Sequence, residues 1–465
     1  MVADPTLGAG PDGADWTDPL LSPLTAALPP VERHAAVPAG FVVGGATCGI
    51  KASGRPDLAV VAAVDGPMAA AGVFTRNAFA AAPVKLSQAH LAATDGWVRA
   101  VISTSGSANA ATGPLGEADQ LEVARALAAA LGAPVESVLC MSTGIIGTRL
   151  PLDNVRAGIS ALVPQGLSGE PERLVAAAEA LRTTDSRAKI ATTTVTLPDP
   201  DGLTVRSVRV TGIAKGVGMI HPGMATMLSL VLTDAVVPPA VLRTLLRRAA
   251  ARTWNQLTVD GDTSTNDTVL LLASGAAGTG EVRPGFDGAA TLGDAIEAIA
   301  RDLARQQAAD GEGASTLLTC QVSGGVDAAD ARAVARAVVA SSLVKAAIHG
   351  KDPNWGRIAG AAGNARLPDP AVLEAAGLEP AVAAERGGRA ATVDPGRLRI
   401  AIAGQLVFDG TVGGPVEFDR TAARERMHAD EVLVRIDLGL GDGSGEAFGC
   451  DLTEAYVREN SEYTT

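Results

Sequence analysis

The sequence predicts an α/β fold, a layered α+β sandwich in which sheets are enclosed by helices. Short apolar strands alternate with Ala-rich helical segments along most of the chain. Several strands are apolar almost throughout, among them residues 228–232, as is typical of strands covered on both faces. Only 3% of the 465 residues are aromatic, while 53 are glycines. Burial must therefore come from Ala, Val, Leu and Ile in closely packed layers.

The helices are predicted where apolar residues recur at helical spacing, and the strands where short apolar runs end in turn residues. Helical spacing covers 117–131, 242–249 after a proline pair, 296–303 and 328–340. Strand patterns cover 204–210, 228–232, 268–272, 317–322, 398–402 and 432–437. Loops are predicted at 197–202 and 383–396, and residues 1–30, rich in Asp, Gly, Pro and Ala, are predicted to form a disordered extension.

The charge balance limits the classes of partner. Lys and Arg number 38 and Asp and Glu 51, which gives a net charge of −13. A nucleic-acid backbone or an anionic membrane surface would need a basic face, so neither is predicted as a partner. No apolar run reaches the roughly 18 residues that span a bilayer, and residues 1–30 lack the basic and apolar regions of a secretory signal. These features predict a soluble, cytoplasmic protein.

Neither a metal site nor a nucleotide site is indicated. The phosphate-loop pattern GxxxxGK[ST] is absent, and the five histidines stand singly, without paired ligand spacing. The four cysteines lie far apart with no CxxC pair, which predicts free, buried thiols in a reducing compartment. They are Cys48, Cys140, Cys320 and Cys450.

One segment combines a flexible turn with a nucleophilic side chain. Residues 215–228, KGVGMIHPGMATML, form a Gly- and Pro-rich turn followed by Thr226 and a strand of the buried type. If the bond between Ala225 and Thr226 were cut, the freed α-amine, with a pKa of about 8, could act as general base for its own hydroxyl. The residues alone favour a simpler interpretation, in which Thr226 is the first residue of a strand.

The chain as a whole resembles the glutamate N-acetyltransferase (ornithine acetyltransferase) family, the ArgJ-type enzymes of the acetyl-recycling arginine pathway. The resemblance covers about residues 31–465 and rests on blocks that occur in the family's order. These blocks are GIKASGRPDL at 49–58, STGIIG at 142–147, the segment 215–228, DGDTSTNDT at 260–268, DGEGAS at 310–315, HGKDPNWGR at 349–357 and YTT at 463–465.

The resemblance implies a DmpA/ArgJ-like fold and self-cleavage. In such proteins the chain is cut before the threonine, which implies here an α chain of residues 31–225 and a β chain of residues 226–465. The hydroxyl of Thr226 would attack the carbonyl carbon of Ala225, and Gly223 and Ala225 leave room for the tight backbone that this needs.

The resemblance also implies roles for individual residues. The oxyanion hole maps onto Thr143 and Gly144, a pair that sequence alone would place in an ordinary turn. An α-carboxylate and a distal ammonium, as in ornithine, call for a cation such as Lys215 and an acid such as Glu312. The implied substrate-binding residues are Thr183 (with Thr184 as the alternative), Lys215, Thr226, Glu312, Asn460 and Thr465.

The implied reaction is a ping-pong acetyl transfer. Thr226 takes the acetyl group from N2-acetylornithine, and the amine of glutamate then removes it to give N-acetylglutamate. Neither a metal nor an organic cofactor is required. A bifunctional member would also accept acetyl-CoA, although no nucleotide motif marks a CoA site. The family pattern further implies that the α and β chains pair into an α2β2 heterotetramer.

Departures from the family pattern leave alternatives open for the substrate. The family usually has Asn where this chain has Thr104, Ser107 and Gly223, and an apolar residue where it has Glu459. A paralogous acyltransferase of a specialised pathway, with a different acyl acceptor, would look like this. An N-terminal-nucleophile amidase or aminopeptidase, which passes the acyl group to water, and an unprocessed amino-acid-binding protein are further alternatives.

Overall fold

The structure is a computed structural model that describes residues 28–221, 227–286 and 288–461. Nearly all of the predicted disordered extension therefore lies outside the described residues. In the described part, strands follow one another in this order: β1 Phe41–Ala46, β2 Leu58–Ala63, β3 Met68–Phe74, β4 Trp97–Val98, β5 Ala100–Ser107, β6 Val138–Ile145, β7 Lys189–Pro198, β8 Val205–Lys215, β9 Leu228–Thr233, β10 Thr268–Ala273, β11 Leu317–Gly325, β12 Arg399–Ile402, β13 Gln405–Asp409, β14 Gly414–Pro415, β15 Glu431–Asp437 and β16 Gly443–Cys450.

Helices alternate with these strands through most of the chain. They are α1 Ala82–Ala93, α2 Gly113–Leu131, α3 Leu152–Leu162, α4 Pro171–Leu181, α5 Pro239–Arg252, α6 Gly288–Ala309, α7 Ala328–Ala340, α8 Ser342–His349, α9 Trp355–Gly363, α10 Pro370–Ala375, α11 Pro380–Arg386, α12 Arg420–Arg426 and α13 Glu454–Ser461.

The strands form three mixed sheets. The first has the order β1-β2-β5-β6, the second β4-β3-β10-β9-β8-β7 and the third β14-β13-β12-β15-β11-β16. In the second sheet β8 runs antiparallel to β9, and β9 runs parallel to β10. The two strands that flank the predicted cleavage point are therefore direct neighbours in the sheet.

The first two sheets pack face to face, with α4 contributing to the apolar cluster between them and other helices on their outer faces. Leu228 and Leu230 of β9 lie in one apolar cluster with Val43 and Val61 of the first sheet, whereas Val231 lies in the cluster on the opposite face. That second cluster includes residues of α5 and α6, while α2 and α3 cover the outer face of the first sheet. Every residue of β9 is buried, so the prediction of a strand covered on both faces is confirmed.

The third sheet builds a separate core with α7, α8 and α9. It joins the sandwich through α6, where Arg301 pairs with Glu446 of β16 and Arg305 with Glu431 of β15. Both guanidinium groups also lie over the ring of Phe448, at 5.5 and 5.8 Å from its centroid. The layered α/β prediction is confirmed, with helices on the outer faces of the stacked sheets.

The predicted elements are present, most of them with shifted ends. All four helices occur, as α2, α5, α6 and α7, and all six strands, as β8, β9, β10, β11, β12 and β15. Strand β8 continues five residues past the predicted end because Gly212, without a Cβ, lets Ile299 and Leu303 of α6 pack against the strand. The predicted loop at 197–202 begins later, since β7 includes Leu197 and Pro198.

The loop prediction at 383–396 is wrong in its first part. Residues up to Arg386 belong to α11, which begins at Pro380, a favoured first residue of a helix. Its buried Ala383 packs in a small cluster with Leu373 of α10. Tertiary packing of this kind stabilises a short helix whose sequence looks like a turn.

All four cysteines are free, and three of them are buried. Burial raises the pKa of the Cys140 thiol to about 12. Cys48 is only partly buried, so the prediction of buried thiols is wrong for this residue. Within the described ranges, no helix is both long and apolar enough to cross a membrane.

Close packing of α4 on β1 gives a test of the sandwich. A Cβ added at Gly45 would lie 2.1 Å from the carbonyl oxygen of Ala176, a backbone atom that cannot move away alone. We expect Gly45→Ala to lower the free energy of unfolding by about 1–3 kcal/mol, measured by denaturant titration. Gly360→Ala is the control, because its Cβ meets nothing within 4 Å in α9 and should stabilise slightly. Equal stability of the two variants would contradict the packing.

Candidate active site

A cavity of about 350 Å³ opens where the ends of β6 and β8 meet the loops before β10 and after α6. Its wall combines hydroxyl, amide and charged groups with a few apolar side chains. The lining residues are Ala108, Thr143, Gly144, Ile145, Ile146, Thr183, Thr184, Lys215, Gly218, Met219, Ser264, Thr265, Asn266, Glu312 and Asn460. Sites that bind small molecules are commonly concave and mixed in this way.

Lys215 is the last residue of β8 and pairs in register with Leu228 of β9. Its side chain is only 4% exposed, and its Nζ donates to the hydroxyl of Thr143 at 3.2 Å. Burial lowers the pKa of Lys215, an effect that the nearby Asp185 carboxylate opposes. The ammonium thus lies deep in the cavity, in direct contact with one of the predicted oxyanion-hole residues.

Gly144 allows two strands to approach at the cavity wall. Its φ is +130°, in the region that favours glycine, and a Cβ would lie 2.3 Å from the carbonyl carbon of Gly106 in β5. Thr143 precedes it at the end of β6 and is buried. A side-chain hydroxyl and an adjoining backbone N–H therefore reach one cavity from consecutive residues.

A buried ion group, formed by the charged side chains of Lys189, Asp185 and Asp310, lies behind this part of the cavity wall. Lys189 is fully buried and donates to Asp185 at 2.7 Å and to Asp310 at 2.6 Å. Asp185 also accepts hydrogen bonds from the N–H groups of Gly216 at 2.8 Å and Thr183 at 3.1 Å. Burial alone would raise the pKa of Asp185, but the charges of Lys215 and Lys189 hold it well below its usual value. Asp185 is therefore ionised at neutral pH.

Glu312 is held in the cavity from two directions. Its Oε1 accepts from the hydroxyl of Thr184 at 2.9 Å, and its Oε2 from the amide of Asn460 at 3.0 Å. A Cβ at Gly218 would lie 2.1 Å from Oε2, so a glycine is needed for the carboxylate to occupy this place. One acidic group is thus shared by a loop before β7, the loop after α6 and the C-terminal helix α13.

Asn266 ties the loop before β10 to the segment that precedes Thr143. Its Nδ2 donates to the carbonyl oxygens of Ala108 at 2.6 Å and Ser142 at 2.9 Å. Asn266 is buried. It fixes the backbone on which Thr143 and Gly144 stand.

Three predicted site residues, Ala225, Thr226 and Thr465, lie outside the described residues, as does Gly223. The chain is described again from Met227, which is buried and donates its N–H to Oδ1 of Asp267 at 3.0 Å. Burial raises the pKa of Asp267 well above its usual value, although the Lys215 charge and the Ser264 hydroxyl oppose the shift. Asp267 therefore contacts the residue that directly follows the predicted nucleophile.

The structure brings the other predicted site residues into one cavity. Both candidates of the pair Thr183 and Thr184 reach the wall, and they are joined there by Thr143, Gly144, Lys215, Glu312 and Asn460. Their roles stay predictions. Ser107, a departure from the family pattern, bonds to the carbonyl oxygen of Thr148 at 2.8 Å and does not line the cavity. Glu459 is exposed on α13.

Sequence reasoning missed the groups that support the cavity from behind. Asn266 and Asp267 lie in the block at 260–268, so that block was a usable signal. Asp185 and Lys189 carried no such signal, because charged residues in a loop and at a strand start are usually exposed. Among the described residues, no cluster of three or more His, Cys, Asp or Glu side chains could hold a metal ion.

The chain is similar to known proteins over most of its length. The family model of the ArgJ family matches residues 42–465. The arginine biosynthesis bifunctional protein ArgJ of Thermus thermophilus is 43% identical over 430 residues, which cover 92% of this chain and 99% of that protein. The protein of the same name from Synechococcus sp. is 43% identical over 444 residues, covering 95% and 100%.

Among solved structures, the crystal structure of the arginine biosynthesis bifunctional protein ArgJ from Bacillus halodurans is 37% identical, covers 51% of this chain and 99% of that chain, and has a TM-score of 0.44. The family assignment rests on the sequence matches, which extend over almost the entire chain. The chain belongs to the ArgJ family, and it is an acyltransferase of arginine biosynthesis.

Proposed function

We propose that the chain transfers the acetyl group of N2-acetylornithine to glutamate through an acetyl ester on Thr226, in the cyclic pathway of arginine biosynthesis. The observation that supports this most is the contact between Lys215 and Thr143 inside a cavity that also holds Glu312. In one cavity, Lys215 can bind an α-carboxylate, Thr143 can donate to the oxygen of a transferable acyl group, and Glu312 can bind a distal ammonium.

The nucleophile arises by self-cleavage in this proposal. The hydroxyl oxygen of Thr226 attacks the carbonyl carbon of Ala225, and the bond from that carbon to the Thr226 nitrogen breaks to leave an ester. Breakage of that bond frees the α-amine of Thr226, and water then hydrolyses the ester, which frees the hydroxyl and leaves a carboxylate on Ala225. With an ordinary pKa of about 8, that amine can take the hydroxyl proton at neutral pH.

Acetyl transfer uses the same oxygen twice. The hydroxyl of Thr226 attacks the acetyl carbon of N2-acetylornithine, the carbon–nitrogen bond breaks, and the ornithine nitrogen takes the proton as it leaves. The amine of glutamate then attacks the acetyl ester, which regenerates the hydroxyl. In both steps a negative charge develops on the acetyl oxygen, where the hydroxyl of Thr143 and the N–H of Gly144 can stabilise it.

The positions of the charged groups in the cavity indicate which end of the substrate each of them binds. Lys215, with its hydrogen bond to Thr143, lies on the side of the reacting atoms and suits the α-carboxylate. Glu312 suits the distal ammonium, and Thr184 and Asn460 hold its two oxygens in place. The apolar side chains of Ile145 and Ile146, both exposed, line another part of the wall.

The proposal extends to assembly and location. The reaction needs neither a metal nor an organic cofactor, because the chain's own groups supply the nucleophile, the base and the oxyanion donors. A bifunctional enzyme of this kind also takes acetyl-CoA as acetyl donor. We place the enzyme in the cytoplasm as an α2β2 heterotetramer, without nucleic-acid or membrane partners.

Denaturing mass spectrometry tests the nucleophile. We expect the wild-type chain to give two fragments, residues 1–225 and 226–465, whereas Thr226→Ala stays intact because it lacks the attacking oxygen. Thr226→Ser keeps a hydroxyl at the same position and should still be cut. An intact wild-type chain would remove Thr226 from the mechanism.

The acyl acceptor is tested by omitting it. With N2-acetylornithine as donor, we expect sustained release of ornithine only when glutamate is present, because water attacks the acetyl ester slowly. Without glutamate, release should stop after about one equivalent per Thr226. Sustained release without glutamate would support an amidase instead, and sustained release with another amine but not glutamate would support a paralogue of a specialised pathway.

The oxyanion hole is tested by an isosteric change. Thr143→Val removes the hydroxyl but keeps the shape, so we expect kcat to fall by about 10²–10³ while KM changes little. Thr244→Val is the control, because Thr244 is exposed on α5 and bonds only within its own helix. Steady-state assays of ornithine release measure both variants. An unchanged kcat in Thr143→Val would exclude the hydroxyl from the transition state.

A further inference from the structure

The block at 260–268 contacts the backbone on both sides of the segment that contains the predicted cleavage point. Residues 222–226 lie outside the described part, but Ile220 and Met227, one on each side of this segment, are both described and both buried. Their hydrogen bonds run to one loop, residues 253–267 between the helix α5 and the strand β10, and to the first residue of that strand.

On the N-terminal side, Asp260 and its neighbours hold the chain at Met219 and Ile220. The two oxygens of Asp260 accept one N–H each, Oδ2 from Met219 and Oδ1 from Ile220 at 2.9 Å. The carbonyl oxygen of Ile220 accepts from the N–H of Val259 at 2.8 Å and from the hydroxyl of Thr258 at 3.2 Å. Both polar groups of the Ile220 backbone are therefore bound by the same loop.

On the C-terminal side, Asp267 and Thr268 hold the chain at Met227. The N–H of Met227 donates to Oδ1 of Asp267, and the carbonyl oxygen of Met227 accepts from the N–H of Thr268, both at 3.0 Å. Asp267 is fully buried, and within the described residues its Oδ2 makes no hydrogen bond. The Met227 backbone is thus bound on both its polar groups, by one carboxyl oxygen and one peptide N–H.

The loop can act as a fixed support because it is itself anchored. Thr258 donates its N–H to the carbonyl oxygen of Phe448 at 3.0 Å, and Asp262 donates its N–H to Asp260 at 3.2 Å. Asn266 bonds to the segment before the predicted oxyanion hole, as described above. The support and the hole therefore belong to one hydrogen-bonded unit.

We propose that this loop is a two-point clamp, in which Asp260 and Asp267 act as positioning residues that hold the peptide on either side of the Ala225–Thr226 bond for self-cleavage. Fixing residues 220 and 227 leaves six residues between two anchored points, which limits the conformations that the segment samples. The clamp thereby increases the fraction of time that the hydroxyl spends near the carbonyl carbon. This inference rests on the cleavage proposed for Thr226.

The hydrogen bonds predict opposite outcomes for the same chemical change at the two acids. Asparagine has one accepting oxygen and one donating nitrogen. At position 260 both oxygens accept from backbone N–H groups, so Asp260→Asn sets a donor against a donor. At position 267 only Oδ1 accepts a backbone N–H, so Asp267→Asn keeps the clamp, whereas Asp267→Ala removes it.

The test follows the rate at which freshly synthesised chains are cut. Each variant is translated in a cell-free system, synthesis is stopped, and intact chain and fragments are measured over time by denaturing mass spectrometry. The control is Asp234→Asn, because the Asp234 carboxylate accepts from the N–H groups of Ala39 and Arg209 with its two oxygens but lies on another part of the second sheet. Melting temperatures are recorded for every variant.

We expect Asp260→Asn and Asp267→Ala to slow cleavage about tenfold or more, and Asp267→Asn and Asp234→Asn to stay within about threefold of wild type. The Asp234 control should lower the melting temperature as much as Asp260→Asn does. Cleavage of Asp260→Asn at the rate of this control would overturn the clamp, as would equal slowing by Asn and Ala at 267. If Asp267→Ala does not fold, the two Asn variants alone decide. A wild-type chain that stays uncut would refute the proposed cleavage itself, which is a distinct result.

Discussion

The site depends on the buried pairing of Lys189 with Asp185 and Asp310. An ammonium group without contact to water is costly, by several kcal/mol, unless carboxylates neutralise it. The two acids come from different parts of the chain, one from the loop after α4 and the other from the end of α6. Folding therefore has to bring these two elements together at Lys189.

Four of the residues that face the cavity lie one or two residues from a member of this ion group or from a residue that binds it. Thr183 and Thr184 precede Asp185, and Glu312 follows two residues after Asp310. Lys215 precedes the residue whose N–H binds Asp185, namely Gly216. The charge pairing thus fixes the backbone, and the backbone places the side chains. Small residues make this possible, since Gly144 and Gly218 stand where a Cβ would meet the facing strand or Glu312 itself.

The sequence predicted the bounds of helices and strands well wherever the apolar pattern within one segment determines its structure. Helix α7 has the predicted ends, and β9 differs by one residue, because apolar spacing and length determine both. Helix α11 was missed because its stability comes from the packing of Ala383 against a neighbouring helix. Cys48 was misjudged because the exposure of a cysteine beside a loop depends on what covers the loop. A local sequence pattern shows neither the packing of two helices nor the coverage of a loop.

The site residues that could not be predicted from the sequence are those whose burial depends on the fold. Motif resemblance supplied Thr143, Lys215 and Glu312, but nothing in a sequence shows which of 51 acidic residues are buried. Asp185 and Asp267 became recognisable only once the surrounding elements were in place, because their altered pKa values arise from burial and from charges distant in the chain. The supporting groups of a site are tertiary properties, whereas the contacting groups often lie in readable motifs.

The pairing of β8 with β9 has a consequence for how a cut molecule would refold. Residues 210–215 and 228–233 are hydrogen-bonded partners in the interior of a six-stranded sheet, on opposite sides of the predicted cut. After a cut at that point, β8 and β9 belong to separate chains that remain paired in one sheet. If such a molecule unfolds, its two chains separate, and the sheet can form again only when they meet. Refolding then becomes dependent on concentration, and the native state persists through its unfolding barrier. If the chain is cut as proposed, the first folding is that of a single chain, and any later refolding is an association of two chains.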